Sequence, residues 1–454
     1  MTQLPNLDKL SNAQKDELIR ALWAQVQALT QRVAELEAQL GGPPKTPNNS
    51  SLPPSKGQKP NVDEKPKPEG PRKGSLGRKG GGRALEACPD ETVITRPLCC
   101  AHCQAAFLEA DVNLAARYDK IDLPPVKPVV TRVERYVGHC QHCGNTTLAP
   151  VPEGLEPGTP FSINIMTLAL YLRFTHAISY KRLTNLMLEL FGLTISEGAL
   201  DAMFQRSKSC LDAEVSAILA RLRRARVVYS DETGVRVNGK GYWNWVFQNT
   251  EVVIHVIRNS RGAGVVDEVM DGHRPVIWVS DLYGAQQGHA DAWQVCLAHQ
   301  LRDCQFAIDA GDAIFAPRMK MLLLRAFVLA RRKHLADSTR RQYHQRMQRE
   351  MDAIMALAPT NKEGKRLRKR YAKVRNHLFT FLQNPEVDPD NNSSERELRP
   401  TATYRKVTGS FRSKWGPDLY AGFRSVVATA ARRGIGAYQA IKMVLQGKSV
   451  LAPG

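Results

Sequence analysis

VVYSDETG, residues Val227 to Gly234, is β-prone, mostly apolar chain that runs straight into two adjacent carboxylates, Asp231 and Glu232. Acid on a buried strand has two explanations. One is a solvated turn. The other is a carboxylate held on a strand to bind metal, which needs partner carboxylates elsewhere in the chain.

Working outward, RVVYSDETGVRV reads as a first strand and GYWNWVFQN as a second, with Asn238-Gly239 marking a hairpin turn between them. EVVIHVIRN is a third strand and RGAGVVDEVMDG a short helix. PVIWVSDLYGA is an apolar fourth strand ending on Asp281. Three meandering strands, a crossover helix and a parallel central strand describe the start of an RNase H-like fold. Its adjacent strand ends would bring Asp231 and Asp281 together. Their repulsion would be relieved by divalent cations, Mg²⁺ or Mn²⁺, which take oxygen ligands and serve phosphodiester displacement in pairs.

PDNNSSERELRP, from Pro389 to Pro400, supplies a third acid. With Asn392 or Ser393 as a cap, Glu395 falls in the first turn of a helix and Glu397 on another face. Arg396 and Arg399 flank it, placed for phosphates. Further on, TYRKVTGSFRSKWG interleaves Arg405, Lys406, Arg412 and Lys414 with Phe411 and Trp415, a pattern suited to DNA backbone contact and base stacking. The plainer alternative is a solvated loop with its aromatics in the core. GIGAYQAIKMVLQ reads as a final packing helix.

The balance of charge points the same way. The 454 residues carry 64 Lys and Arg against 44 Asp and Glu, a formal +20. Such an excess favours a polyanionic partner, most simply nucleic acid, over a membrane surface. No apolar run approaches the roughly 20 residues that span a bilayer, and the N-terminus lacks a secretory apolar segment. The chain reads as soluble and cytoplasmic, on the nucleoid when bound to DNA.

Ile19, Leu22, Val26, Leu29, Val33, Leu36 and Leu40 alternate in steps of three and four, a heptad seam suited to self-association, the plainer alternative being a short amphipathic helix packed on its own chain. Ser11 and Gln14 form a candidate capping box. Residues 43–85 follow as a basic linker, with PNNSSLPPSKGQKP and GSLGRKGGGR, that cannot build a core and is expected to be disordered. Its charge suits either phosphate tracking or a solubilising tether.

Nine cysteines include the pairs Cys100/Cys103 and Cys140/Cys143, 36 residues apart. Two C-x-x-C pairs can supply four thiolates to one structural Zn²⁺, leaving no open catalytic position. Cys88, Cys99, His102 and His142 are competing ligands, and the bland alternative is reduced thiols. YDKIDLPPVKPVVTRVERYVGHC between the pairs alternates like hairpin strands. Beyond it, SINIMTLALYLRFTHA reads as a buried helix. SYKRLTNLMLELFGLTISEGALDAMFQRSKS reads as helix, turn at Phe191-Gly192-Leu193 and helix. That spacing fits a DNA-reading helix-turn-helix as well as an ordinary helical hairpin.

These features together make a multidomain α+β protein. The expected units are a coiled coil (1–42), the linker (43–85), a zinc-binding domain (86–150) and a helix-turn-helix-like region (151–225). An RNase H-like catalytic domain (226–400), with a helical insertion at about 297–388, and a basic, helical C-terminal segment (401–454) complete the chain.

Over nearly its whole length the chain resembles an insertion sequence family 66 transposase, a DDE transposase. The likeness rests on the zipper, NNSSLPPS, the paired C-x-x-C, DETG at Asp231, SDLYGA at Asp281, CLAHQLRD at Cys296 to Asp303, DNNSSERELRP, and KVTGSFRS. GRKGGG departs from the Gln- and His-containing linker more frequent in the family. The resemblance implies that Asp231, Asp281 and Glu395 are the DDE triad, with a helical insertion between the second and third acids. Glu395 lies 114 positions after Asp281, room enough for one. It also implies binding to the element's terminal inverted repeats and to target DNA, and accessory proteins from the same element. Cys296 and His299, spaced i, i+3, match a C-x-x-H element that in related transposases lies near the active site or supports the insertion; otherwise they are ordinary helix residues. The competing reading is a non-catalytic DNA-binding protein, such as a repressor derived from an element, and a further one is a nuclease of another class.

Overall fold

The computed structural model describes residues 11–40, 43–50, 84–332 and 334–452. The linker stretch 51–83, with GRKGGG, lies outside them, as do the side chains of the seam residues Val33, Leu36 and Leu40.

Helix α1 (Asn12–Leu40) opens on its capping box: Ser11 N donates to Gln14 Oε1 at 3.0 Å and Gln14 N to Ser11 Oγ at 3.4 Å. Ile19, Leu22, Val26 and Leu29 remain 50–65 % exposed, so nothing among the described residues of one chain covers the seam.

The start of the linker departs from the expected disorder. Residues 46–49 form a turn in which Asn49 Oδ1 accepts from Thr46 N at 2.7 Å. Asn49 Nδ2 donates to Asp309 Oδ2 at 2.8 Å, so the turn is seated on a distant helix, and Asn49 is only 3 % exposed.

The cysteine-rich region also differs from expectation. Its strand ladder is β1 (Val137–His139) against β2 (Thr146–Leu148), flanking the second cysteine pair, and a single antiparallel bridge, Cys99 to Ala106, spans the first. Residues 112–136 form no strand. Pro124, Pro125 and Pro128 remove amide donors there, so alternating side chains do not suffice for pairing.

Helix α2 (Ile163–Leu170) widens into a π-helical turn, Tyr171–Thr175. Helix α3 (Tyr180–Phe191) ends at Gly192, whose left-handed φ of 64° closes the last carbonyls. Helix α4 (Glu197–Leu222) starts later than the sequence suggests, because Ser196 caps it by accepting from Ala199 N. Leu200, Phe204, Leu211, Ile218 and Leu222 bury one face of α4 in the main core, so only its outer face is open to a partner.

The sheet consists of β3 (Val227–Val237), β4 (Lys240–Gln248), β5 (Val253–Arg258), β6 (Ile277–Ser280) and β7 (Ala292–Val295), in the order β5-β4-β3-β6-β7. β3, β4 and β5 form an antiparallel meander, and β6 and β7 join parallel to β3. The β3–β4 turn has φ of 49° at Asn238 and 76° at Gly239, as a two-residue hairpin requires. Helix α5 (Gly264–Met270) makes the crossover from β5 to β6.

Alternation along the strands feeds two cores. Val228, Trp245, Phe247 and Trp278 pack with α2–α5 on one face; Tyr229, Ile277, Val279 and Val295 pack on the other. That second face meets a helical insertion of α6 (Leu297–Asp309), α7 (Phe315–Ala330), α8 (Asp337–Met355), α9 (Lys362–Val374) and α10 (Thr380–Gln383). The chain then returns to the sheet as α11 (Asn392–Thr408), and closes with α12 (Gly416–Arg432) and α13 (Ala437–Leu445). Helix α12 protects the edge strand: Ser425 Oγ accepts from His255 N at 2.8 Å and Thr429 Oγ1 from Val253 N at 3.0 Å. No helix of the described residues is long and apolar enough to cross a membrane.

Candidate active site

The parallel pairing of β3 with β6 joins Val227 to Ile277, Val228 to Trp278 and Tyr229 to Val279. Each pair is separated by the same fifty positions that separate Asp231 from Asp281 (277 − 227 = 281 − 231). Continuing that register two residues past the last pair sets both carboxylates at one level, where β6 has ended and β3 runs on against β4. The acid pair therefore lies beside a strand end, while β3 itself continues to Val237.

Adjacent acids on a strand must point to opposite faces. Asp231 shares the face of Tyr229, towards α11. Its carboxyl is held well above the usual range, first by burial, then by the charges of Asp281, Glu232 and Glu395, against one stabilising amide from Glu232. Glu232 turns the other way. Its side chain is 1 % exposed; Oε1 accepts from Arg261 Nε at 2.9 Å and Nη2 at 2.7 Å, and Oε2 accepts from Gln286 Nε2 at 2.7 Å. Burial and Asp281 raise its pKa, and the Gln286 and Arg261 hydrogen bonds pull it back. Asp281 Oδ1 caps the following turn by accepting from Tyr283 N at 2.8 Å.

Glu395 sits in the first turn of α11, on a tightly tied N-terminus. The cap is Asn391, one residue earlier than the sequence suggests, and its side chain goes elsewhere: Nδ2 donates to Ser230 O at 2.7 Å, next to Asp231. Asp388 N donates to Tyr229 Oη at 2.9 Å, Gln248 Nε2 to Ser394 Oγ at 2.8 Å, and Leu297 N to Pro389 O at 3.0 Å. The DNNSS run is thus a clamp that fixes α11 to β3, β4 and α6. Glu397 takes a different face, near Arg424 at 3.7 Å and Arg432 at 3.8 Å.

Cys296 and His299 join this clamp. Buried Cys296 accepts from Asn391 N at 3.2 Å, and burial pushes its thiol up to about 12. His299 Nδ1 lies 3.3 Å from that sulfur, and Nε2 lies 3.6 Å from Glu395 Oε1. Arg302 Nη1 is also 3.6 Å from Glu395 Oε1. Arg302, Arg261, Gln286 and Asn391 were not legible as site residues; only their nearness to the acids in space marks them.

The donor chemistry suits a hard divalent cation, because Asp231, Asp281 and Glu395 are oxygen ligands whose negative charges accumulate. The convergence is incomplete: among the described residues no three His, Cys, Asp or Glu side chains are grouped to hold an ion. The same holds for zinc. Each cysteine pair sits on the same kind of turn, with Gln104 N donating to Cys100 O and Gly144 N to Cys140 O, both at 2.9 Å. Neighbouring backbone amides lower the Cys100 and Cys140 thiol pKa. The two pairs are not brought together as one ligand set among the described residues.

The basic residues Arg396, Arg399, Arg405, Lys406, Arg412 and Lys414 are all exposed. Of the two aromatics among them, Phe411 is not available for base stacking and follows the plainer alternative, with its ring in the core. Phe411 is buried against Tyr404 and Tyr420, and its backbone pairs with Arg236 and Asn238 at the end of β3. Trp415 packs partly buried against the main core.

A mixed α+β domain with Asp231 and Asp281 in one register, Glu395 near Asp231 and exposed basic residues along α11 defines a candidate nucleic-acid-processing enzyme. The sequence model of the Transposase IS66 family matches residues 158–418, and the chain belongs to that family. No curated protein matches it. The match runs from the start of α2 into α12 and includes all three acids.

Proposed function

We propose that this transposase binds the terminal inverted repeats of its own element and cleaves and joins DNA at an RNase H-like site formed by Asp231, Asp281 and Glu395. The observation that carries the reading is the shared register of Asp231 and Asp281, with Glu395 close enough to add to the charge on Asp231. The strand order, a meander followed by parallel strands, supports the same reading.

Asp231, Asp281 and Glu395 would hold Mg²⁺ or Mn²⁺, which supplies charge neutralisation and an activated attacking oxygen when bound. The clamp of Asn391 and the contact from His299 orient Glu395. In hydrolysis, water attacks phosphorus, the P–O3′ bond breaks, the water oxygen stays on the 5′-phosphate, and a 3′-hydroxyl is freed. In strand transfer that hydroxyl attacks a target phosphodiester and displaces another 3′-oxygen. No covalent protein intermediate is required. Arg396, Arg399, Arg405, Lys406, Arg412 and Lys414 would contact the DNA backbone. Cys100, Cys103, Cys140 and Cys143 would close around one structural Zn²⁺, and the α1 seam would pair two or more copies.

The test is a supercoiled plasmid carrying the gene with its native flanks, treated with purified protein and Mg²⁺ or Mn²⁺, with nicks mapped by primer extension. Nicks at the repeat boundaries that vanish with Asp281→Asn are expected. Equal nicking by the variant would sink the triad.

A further inference from the structure

Glu232 and Arg261 form a unit that the acid triad does not use. Glu232 is buried beside Asp281, yet both its oxygens are engaged by protein groups, Arg261 and Gln286. It is therefore tied up as an anchor. What it anchors is a guanidinium held on three sides. The Tyr283 ring lies 3.9 Å and the Trp243 ring 4.4 Å from its central carbon, and Glu232 takes one edge through Nε and Nη2.

A guanidinium has five N–H donors in a plane. Two go to Glu232. Among the described residues Nη1 has no partner, and the side chain is 38 % exposed. The free edge is thus open to solvent, with its orientation already set by stacking and by a charged pair. Tyr283 also donates its backbone amide to Asp281, so the same short turn positions the candidate catalytic acid and one wall of the arginine slot. Asp231, Asp281 and Glu395 repel a polyanionic strand, and an oriented cation stacked on Tyr283, two residues beyond Asp281, offsets that repulsion. Planar, two-donor recognition of phosphate is the chemistry this geometry fits.

We propose that the outer edge of Arg261 binds a phosphodiester of the DNA strand entering the acid site, with Glu232 as its positioning residue. This rests on the DNA-cleaving reading above. It assigns the two acids of DETG separate tasks: Asp231 to the reacting centre and Glu232 to holding the arginine.

The experiment uses the full chain and a duplex carrying the end of the element next to the gene. Binding is measured across a salt series for wild type, Arg261→Ala, Arg261→Lys and Glu232→Gln. Arg261→Ala should weaken binding about tenfold and reduce the salt slope by about one phosphate's worth. Arg261→Lys should keep the slope and still lose affinity, since it keeps charge but not the stacked fork. Glu232→Gln should raise KM for nicking more than it lowers kcat. Methylphosphonate substitution, one position at a time, should find one phosphate near the cleaved bond whose neutralisation weakens wild type and has no further effect on Arg261→Ala.

A wild type that nicks the duplex, with an unchanged salt slope and methylphosphonate profile in Arg261→Ala, overturns this proposal and leaves the cleavage reading standing. A wild type that binds but does not nick overturns the cleavage reading, and the binding data still decide on Arg261. A wild type that neither binds nor nicks overturns both. The methylphosphonate scan on wild type is independent of how well any variant folds.

Discussion

His299 Nε2 stands 3.6 Å from Glu395 Oε1, across the gap between α6 and α11. Burial favours the neutral thiol at Cys296, whose S–H can donate to His299 Nδ1 and leave the Nε2 proton facing the carboxylate. The pair orients a candidate metal ligand from outside. His299→Ala should reduce metal-dependent nicking about 10–100-fold, most of it recovered at higher Mn²⁺ concentration. A variant with an unchanged metal titration curve would reduce His299 to an ordinary helix residue.

Buried His255 on β5 predicts an acid-sensitive fold. Its pKa is pushed well below the usual 6.5, first by burial and then by the cations Arg424 and Arg432. Asn244 Nδ2 lies 3.3 Å from Nδ1, and Nε2 has no partner among the described residues. At pH values between its folded and unfolded pKa, a depressed histidine is neutral when folded and protonated when unfolded. Its contribution is therefore intact above about pH 6.5 and lost below it, with a limiting slope of about 1.4 kcal/mol per pH unit. Denaturant melts between pH 7 and 5 should show this loss, and His255→Asn should flatten it. The same slope in both proteins would place the acid sensitivity elsewhere.

The turn at residues 46–49 should behave as a clip. Asn49 joins it to Asp309 at the end of α6, and Gln305 Nε2 also donates to Asp309, at 2.6 Å. Asp309→Ala leaves the Thr46–Asn49 hydrogen bond intact but removes the seat. Hydrogen exchange of residues 43–50 in the full chain should then accelerate about tenfold, the equivalent of one net hydrogen bond. Unchanged protection would mean that the turn holds itself in place.

For the cysteine pairs, the purified protein should carry one zinc per chain by elemental analysis. Cys140→Ser should lose it and expose the remaining thiols to rapid modification. Wild type isolated without zinc and refusing added zinc would reduce both knuckles to free thiols.

Much of this molecule was legible as pattern. Strand, hairpin and crossover helix follow from alternation and from Asn238-Gly239, because local backbone preference is enough to specify them. The candidate acids could be named because Asp and Glu on apolar elements are costly unless used. Helix α12 is not legible: it is buried nearly all round, and its polar residues Ser425 and Thr429 face strand β5 instead of solvent. Strand β7 is only four residues long and was missed as well.

Tertiary structure decided the rest, since it depends on which distant groups share a space. The fifty-residue register that levels Asp231 with Asp281 exists only once β6 pairs with β3. DETG by itself makes Asp231 and Glu232 equivalent neighbours. The fold separates them by directing one towards α11 and giving the other to Arg261 and Gln286. Phe411 reads like a stacking platform among basic residues until burial against Tyr404 and Tyr420 removes it. Sequence alone determined which residues can carry charge, cap a helix or turn a hairpin, because those are local properties. Only the packed chain determined which charges meet, because desolvation and Coulomb terms act through space across residues far apart in sequence.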